Sequence, residues 1–374
     1  MKHILLGTTA LVAAGLMAGP AAAQQGVQLG IGGYYFGAAG GNLDEDFDDA
    51  PDDVRDYAFK QDVEVHFRGE ATLDNGLTVG ARIELEGQES GDQIDEVFAY
   101  FRGGFGEIRF GDDDDAYAQL CYLVPTASGA FGADSPFLNF SNAGVVGYGA
   151  TNGTCYGLSD NSTKLIYFTP SFGGFQLAAS FAPENTEDRR NTLGVFGTAP
   201  DNNDPGDPDQ FRGSIENIWS LAGTYATELN GFSVALGGGA AFGKLESDPT
   251  GCPGADDPKF YNAYAQVGFA GWTIGGATEI RNNAVCDGDS VVYGAGATYG
   301  FEAWTVGLGW TRGEYDNVQG PDTEDTYDII QFTAAYALGP GVTVDALVGY
   351  NKYDSDGGND YDGIEAGIGF GINF

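Results

Sequence analysis

The sequence predicts an all-β fold: a transmembrane antiparallel β-barrel of about 16 strands. Three observations predict it. Apolar and polar residues alternate with a period of two from Val27 to Phe374, tight turns alternate with long polar loops, and no later stretch holds about 18 consecutive apolar residues. The last observation excludes a helical membrane protein. Barrel strands, by contrast, average to a mildly negative mean hydropathy such as the −0.19 of this chain.

Residues 1–23 have the pattern of a secretory signal peptide. They combine a basic start, an apolar run at 4–17 that is too short to span a bilayer, and small residues at 21–23 that fit a cleavage site. We therefore expect the mature chain to begin at Gln24 and residues 24–374 to form the barrel.

The charge of the chain is strongly acidic. It has 16 basic and 54 acidic residues, and removal of residues 1–23 takes away one lysine, which leaves 15 − 54 = −39. Nucleic acid is excluded as a partner because its phosphates would be repelled. The excess suits a surface that meets cations, or acids that divalent ions bridge to lipid phosphates. The acidic cluster at 44–46 is expected in the first long loop, 38–57.

Sixteen alternating segments have the length of a tilted membrane-crossing strand. Backbone groups cannot stay unpaired in hydrocarbon, so a spanning sheet must close on itself, and an even strand number permits antiparallel closure. The many glycines of the inner face are expected to leave room for water. The predicted strands are residues 27–37, 58–73, 77–87, 93–102, 106–111, 162–170, 174–182, 214–229, 231–245, 258–270, 272–282, 290–300, 303–315, 325–338, 341–353 and 361–374.

The connections between these strands favour a barrel over a soluble sheet. Short turns such as 74–76 follow the even-numbered strands, and longer polar stretches follow the odd-numbered ones. Outer-membrane barrels sort their connections in this way, whereas a soluble β-sandwich has no reason to do so. The longest connection, 112–161, has 161 − 112 + 1 = 50 residues, and its aromatic residues indicate packing instead of disorder.

The four cysteines all lie outside the predicted strands. An even count in an exported protein indicates disulfides, and none of the spacings resembles a zinc site. Cys121 and Cys155 both belong to loop 112–161, and Cys252 and Cys286 lie in neighbouring loops. Of the three connectivities, this topology favours Cys121–Cys155 with Cys252–Cys286.

Three stretches resemble the trimeric Gram-negative porin family: residues 104–111, residues 167–175 and the ending in Phe374. The resemblance implies a channel for passive diffusion of ions and small hydrophilic solutes. It also implies a homotrimer in the bacterial outer membrane, in contact with its lipid and lipopolysaccharide. Loop 112–161 would be the third long loop, folded into the barrel so that it narrows the pore.

In that family, basic residues of the wall face acids of the inward loop across the constriction and produce a transverse field. The basic candidates are Arg68, Arg82, Arg109 and Lys164. The acidic candidates are Asp112, Asp113, Asp114, Asp115 and Asp134. The alternative is that the arginines pair with glutamates of neighbouring strands and hold the wall together. Arg102 stays unassigned because both faces of its strand carry aromatic residues.

No cofactor is expected apart from calcium. A calcium site and a solvated acidic stretch explain the run 112–115 equally well. Calcium needs six or more oxygens, and adjacent residues of an extended chain point alternately. Enzymatic activity is disfavoured, since His66 is the only histidine that remains after cleavage of residues 1–23, and no nucleophile elbow or zinc-protease motif is present. Two further alternatives are a substrate-specific outer-membrane channel and a soluble calcium-dependent β-sandwich adhesion module.

Overall fold

Sixteen antiparallel strands form one closed barrel in the computed structural model. It describes residues 26–47, 54–87, 94–134, 139–143, 152–159, 161–185, 215–245, 255–282, 288–316, 323–356 and 358–374. The strands are β1 (Gln28–Phe47), β2 (Tyr57–Thr72), β3 (Thr78–Glu86), β4 (Ile94–Gly103), β5 (Gly106–Asp112), β6 (Thr163–Phe168), β7 (Phe175–Glu184), β8 (Ile215–Leu229), β9 (Phe232–Leu245), β10 (Lys259–Phe269), β11 (Trp272–Asn282), β12 (Asp289–Phe301), β13 (Trp304–Asp316), β14 (Glu324–Gly339), β15 (Val342–Ser355) and β16 (Tyr361–Asn373). Each strand pairs with its sequence neighbours, and β16 closes the sheet against β1. The predicted fold class is confirmed.

Each strand divides its side chains between an outer row and an inner row. On β16, Ile364, Ile368 and Phe370 of the outer row are exposed, whereas Tyr361 and Glu365 of the inner row are buried. An apolar outer row is what a lipid-facing wall requires. The inner row combines small and polar residues with buried apolar ones such as Phe98, Ile166 and Leu347.

Tight turns join the even-numbered strands to the next odd-numbered ones. Asn230 and Gly231 both have positive φ, 51° and 86°, which gives the turn type that matches the twist of a hairpin. Exposed rings such as Trp272 and Trp304 follow such turns. The one described helix, α1 (Ala116–Gln119), has four residues, and no described helix is long and apolar enough to cross a membrane.

The first strand is longer than its sequence predicts. β1 continues to Phe47, because residues 38–47 pair with β16, and the ring of Phe47 packs 4.9 Å from that of Tyr361. The small residues at 38–41 hide the alternation. The acidic cluster 44–46 therefore lies on a strand, and the placement of it in the first loop was wrong.

The connection after β5, residues 113–162, is hydrogen-bonded to inner-row side chains of at least nine strands. Ser180 of β7, Asn42 of β1 and Lys60 of β2 supply three of these contacts, and six other strands supply further ones. The further contacts are Tyr117 N to Ser220 (2.7 Å), Leu123 O to Gln266 (2.7 Å), Tyr117 Oη to Glu279 (2.8 Å), Ala133 O to Thr311 (2.8 Å), Ala127 N to Thr333 (3.1 Å) and Phe140 N to Glu365 (2.5 Å). These partners come from β8, β10, β11, β13, β14 and β16. The loop is attached to more than half of the barrel.

Glycines of the inner row admit this loop. A Cβ atom at Gly367 would lie 2.6 Å from the ring of Phe140, and one at Gly40 would lie 2.5 Å from the same ring. Any larger residue at these positions would displace the phenylalanine. We expected inner-row glycines to leave room for water, but at Gly40 and Gly367 the space is taken by a loop side chain.

Candidate pore-lining site

Arginines occupy the inner row of four successive strands, β2 to β5. Nη2 of Arg68 lies 2.6 Å and Nη2 of Arg102 lies 2.8 Å from the same carboxylate oxygen of Glu70. Glu107 continues the chain, because it contacts Arg102 at 3.4 Å and Arg109 at 2.6 Å. Guanidinium and carboxylate groups therefore alternate across the wall, and Arg102, which its sequence left unassigned, belongs to the inner row.

Most arginines of this wall are more exposed than the acids they bind. The side chains of Arg68 and Arg102 are each 38% exposed and that of Arg109 is 23% exposed, whereas Glu107 is 15% exposed. Glu70, at 34%, is almost as exposed as Arg68 and Arg102, so both guanidinium and carboxylate groups reach the surface there, whereas Arg109 binds acids that are less exposed than it is. The arginines therefore pair with glutamates, as the alternative interpretation expected, and the wall still exposes guanidinium groups.

Arg82 belongs to a second, more buried cluster on β2 and β3. Its Nε pairs with Glu84, and its Nη2 lies 3.2 Å from Nδ1 of His66. Nε2 of His66 lies 2.6 Å from Glu64 and 3.0 Å from Glu84. The sole histidine of residues 24–374 is thus enclosed by two carboxylates and one guanidinium.

One of the predicted loop acids contacts a predicted wall arginine. Nη1 of Arg109 donates to Asp113 at 3.0 Å, and the side chain of Gln119 donates to the same carboxylate at 2.8 Å. Burial raises the pKa of Asp113 although Arg109 opposes the shift. Lys164 is buried, and its Nζ donates to the backbone oxygens of Asp113 and Ser162.

The other three acids of the run diverge. The backbone oxygen of Asp114 accepts from the side chain of Gln119 at 2.8 Å. Asp112 shares the outer-row parity of Phe110 and accepts the hydroxyl of Thr163. Asp115 is buried and caps α1, accepting from the backbone N–H of Ala118 at 3.0 Å; its pKa is raised by burial. Among the described residues, the groups of carboxylate and histidine atoms close enough to hold a metal ion do not include this run. They are Glu64–His66–Glu84 and Glu64–Glu86–Asp95.

Asp134 ties the two limbs of the loop to each other. Its buried carboxylate accepts from the backbone N–H of Val124 at 2.8 Å and from the N–H and hydroxyl of Thr154 at 2.9 and 2.6 Å. Burial raises the pKa of Asp134 to about 6, against the effect of these hydrogen bonds. The structure does not bring Asp134 to Arg68, Arg82 or Arg109.

A disulfide joins the same limbs. Cys121 and Cys155 are bonded, with their Cα atoms 5.7 Å apart, which confirms the predicted pairing. Cys252 and Cys286 lie outside the described residues, as do residues 1–23, so the second pairing and the signal peptide stay predictions.

The sequence profile of the Gram-negative porin family matches residues 7–357. The chain belongs to the Gram-negative porin family. With its closed barrel of 16 strands, it is a channel of the bacterial outer membrane. No curated protein matches the chain by sequence.

Solved structures share the fold of this porin at low sequence identity. An anion-selective porin from Comamonas acidovorans is 16% identical, with a TM-score of 0.59 over 93% of this chain and 100% of the other. OmpT of Vibrio cholerae in its trimer form is 15% identical, with 0.56 over 94% and 100%. The outer membrane channel DcaP of Acinetobacter baumannii is 12% identical, with 0.57 over 93% and 98%. At these identities the likeness establishes the fold.

The sequence contained a signal for a site residue of this porin that we did not single out. Arg281 pairs with the buried Glu279, and its Nη2 donates to the backbone oxygen of Gly153 in the loop. The same Glu/Arg pattern at positions i and i+2 occurs at Arg68 with Glu70 and at three other places in the wall, including this one. Opposite charges two positions apart lie on the same face of a strand, and the pattern also occurs on the outer row, where Arg312 pairs with Glu314 at 3.1 Å.

Proposed function

We propose that this porin forms a water-filled channel for passive diffusion of ions and small hydrophilic solutes, narrowed by loop 113–162. The proposal rests on which part of the inner row the loop covers and which part it leaves exposed. The loop is hydrogen-bonded to inner-row groups from Ser180 on β7 round to Lys60 at the start of β2, whereas Arg68 near the end of β2 and Arg102 on β4 keep 38% of their side chains exposed. The open path then lies between the loop and the arginine wall.

The arginine wall, on this proposal, orients polar solutes as they pass. The guanidinium groups of Arg82 and Arg109 are more exposed than the carboxylates that they bind, and Arg68 and Arg102 flank the similarly exposed Glu70, so charges of both signs line the wall. Rings of charged side chains set ion selectivity in this manner. Asp113 of the loop adds a further carboxylate to the acidic side, and Nζ of Lys164 donates to the backbone oxygen of Asp113. The overall negative charge draws cations to the channel mouth.

Planar-bilayer recording tests the channel directly. We expect stepwise conductance increases after insertion of the refolded chain, and a reversal potential in a salt gradient that shows a modest preference for cations. Ohmic, unsaturated current with rising salt would separate a diffusion channel from a substrate-specific one, whose current is blocked by its solute. Absence of conductance from correctly folded protein would overturn the proposal. We propose no enzymatic activity for this chain.

We also propose that the porin is a homotrimer, like the trimer form of OmpT from Vibrio cholerae. Two features support this. β5 and β6 have seven and six residues, fewer than the roughly 9–11 that a membrane-spanning strand needs. Their outer row carries the exposed Phe110 and Leu165, which a second copy can cover. Native mass spectrometry in detergent checks this, and a monomer at all concentrations contradicts it.

Lipid headgroups, including those of lipopolysaccharide, are the proposed partners of the outer row at the loop ends of β13–β15. The outer row changes there from apolar to charged. Arg312 pairs with Asp328 at 2.6 Å, and Lys352 pairs with Asp354 at 2.7 Å. Replacing Arg312 and Lys352 by glutamine should lower the amount of lipopolysaccharide that copurifies with the protein.

A further inference from the structure

Glu64, His66 and Glu84 bring three metal-ligating atoms together on the inner row of β2 and β3. His66 and Glu84 are direct partners in the register of the two strands, and Glu64 precedes His66 by one inner-row position. Nε2 of His66 lies 2.6 Å from one carboxylate and 3.0 Å from the other, and all three atoms lie within 4.8 Å of one another. The three side chains are buried.

The cluster carries more negative than positive charge. Arg82 supplies a guanidinium within its hydrogen-bonding reach, with Nη2 of Arg82 3.2 Å from Nδ1 of His66. A buried excess of this kind is costly unless a cation balances it. Glu96 is hydrogen-bonded to Glu84, and the hydroxyl of Tyr34 lies 2.6 Å from Glu64 and 3.3 Å from Asp62, so two further acids lie close to the cluster.

We propose that Glu64, His66 and Glu84 form a binding site for a divalent transition-metal ion of the zinc class. Carboxylate oxygen alone suits calcium and magnesium, whereas an imidazole nitrogen with oxygens suits zinc and its neighbours. Zinc bonds of about 2.0–2.2 Å place tetrahedral ligand atoms roughly 3.4 Å apart. The distances from Nε2 of His66 to Glu64 and Glu84, 2.6 and 3.0 Å, therefore need to increase only slightly to admit the ion. Water from the channel supplies the fourth ligand. The proposed metal site follows from the geometry of these side chains and does not depend on the proposed ion selectivity of the channel.

Arg82 opposes this ion and controls its affinity. Coordination by Nε2 moves the ring proton of His66 to Nδ1, and Nη2 of Arg82, now 3.2 Å from Nδ1, must turn away. The side chain of Arg82 is 29% exposed, so it has room to move toward the channel. Loss of the guanidinium therefore removes both a competing donor and a like charge.

Calorimetric titration of the refolded chain in detergent with Zn²⁺ tests the site. We expect one Zn²⁺ per chain, an affinity that falls at least about tenfold in His66→Gln and in Glu84→Gln, and a several-fold gain in Arg82→Gln. Glu70→Gln is the matched control, since Glu70 shares the inner row of β2 but lies outside the group, and its affinity should equal that of the wild type.

Unchanged Zn²⁺ affinity in both His66→Gln and Glu84→Gln overturns the proposal, as does displacement of Zn²⁺ by equal concentrations of Mg²⁺. Heat-dependent gel mobility shows whether each variant has formed its barrel, and either ligand variant suffices if the other does not fold. Absence of Zn²⁺ binding by the wild type also overturns it. Because calorimetry measures no ion flow, these outcomes leave the channel proposal untouched.

Discussion

The hydroxyl of Tyr117 donates to Oε2 of Glu279 at 2.8 Å, which joins the start of the loop to β11, six strands away from the strand it leaves. The same oxygen accepts the backbone N–H of Tyr156 at 3.1 Å. The other oxygen of Glu279 pairs with Arg281, which in turn donates to Gly153. One buried carboxylate therefore holds both limbs of the loop.

Replacement of Glu279 by alanine should free the loop without opening the barrel. The variant loses both limb contacts and leaves the charge of Arg281 without its partner, a change that costs about 3–5 kcal/mol for a buried pair. We expect larger and noisier single-channel currents in planar bilayers. Glu279→Gln is the control, because its carbonyl still accepts from Tyr117, and its currents should be intermediate. Equal noise in all three proteins would show that Glu279 does not hold the loop.

Loss of a wall arginine should strengthen cation preference. Arg68→Gln removes an exposed guanidinium while Glu70 keeps Arg102, so the local potential becomes more negative. A change of about one kT alters the local concentration of each monovalent ion roughly threefold and the cation-to-anion ratio about sevenfold, which sets the upper scale of the shift in reversal potential. Arg312→Gln removes the same charge from the outer row and should change nothing. Anion preference of the wild type at low salt, or equal shifts in both variants, contradicts the assignment.

Acidification should tighten the loop through Asp134. Burial raises the pKa of Asp134 to about 6, so its folded form favours the proton. The stability that this group contributes is complete below about pH 4 and is lost as the pH rises to about 6. The pKa values of Asp113 and Asp115 are raised too, and their effect has the same sign.

Hydrogen exchange of the amides of Val124 and Thr154, corrected for the intrinsic pH dependence, measures this effect. Protection should fall between pH 4 and pH 6 in the wild type, and Asp134→Asn should flatten that change, since the amide mimics the protonated acid. An amide of β14 such as that of Ile329 serves as the reference. Protection that rises with pH would have the wrong sign for a pKa raised by burial.

Reduction of the Cys121–Cys155 bond should leave the barrel folded and increase current noise. The bond closes a loop with a sequence separation of 34, worth roughly 3–4 kcal/mol in the chain-entropy account. Cys121→Ser with Cys155→Ser is the matched variant, and added reductant should have no further effect on it. Non-reducing peptide mapping also tests Cys252 with Cys286; a peptide of Cys121 linked to either would refute the predicted pairing.

The alternation of apolar and polar residues predicts the strands of this porin well. Because only one face of each strand is buried, the sequence of every strand has a period of two. β14 and β16, with bulky residues in the outer row, are predicted to within one residue at most ends. β1 fails beyond residue 37 because glycine and alanine carry no alternation and its pairing with β16 is long-range. Arg68, Arg82 and Arg109 are found for the same reason of parity, whereas Arg102, on a strand with aromatic residues on both faces, is not.

The loop acids were not assignable from sequence because their partners are distant in the chain. Asp134 meets Thr154, 20 positions away, and Asp115 meets Leu158, 43 positions away. A run of aspartates has the same pattern whether it is solvated or bound to backbone amides. Only the packed loop distinguishes Asp113, which contacts Arg109, from its neighbours.

The seam between β1 and β16 has a consequence for biogenesis. Gly37 pairs with Phe370, and these residues are 370 − 37 = 333 positions apart. Such a contact is among the slowest to form, because the entropy of closing the intervening chain must be lost first. Until it forms, two sheet edges with free amides and carbonyls are open, and open edges recruit other strands. Newly made chains therefore require a holding factor until the last strand has joined the first.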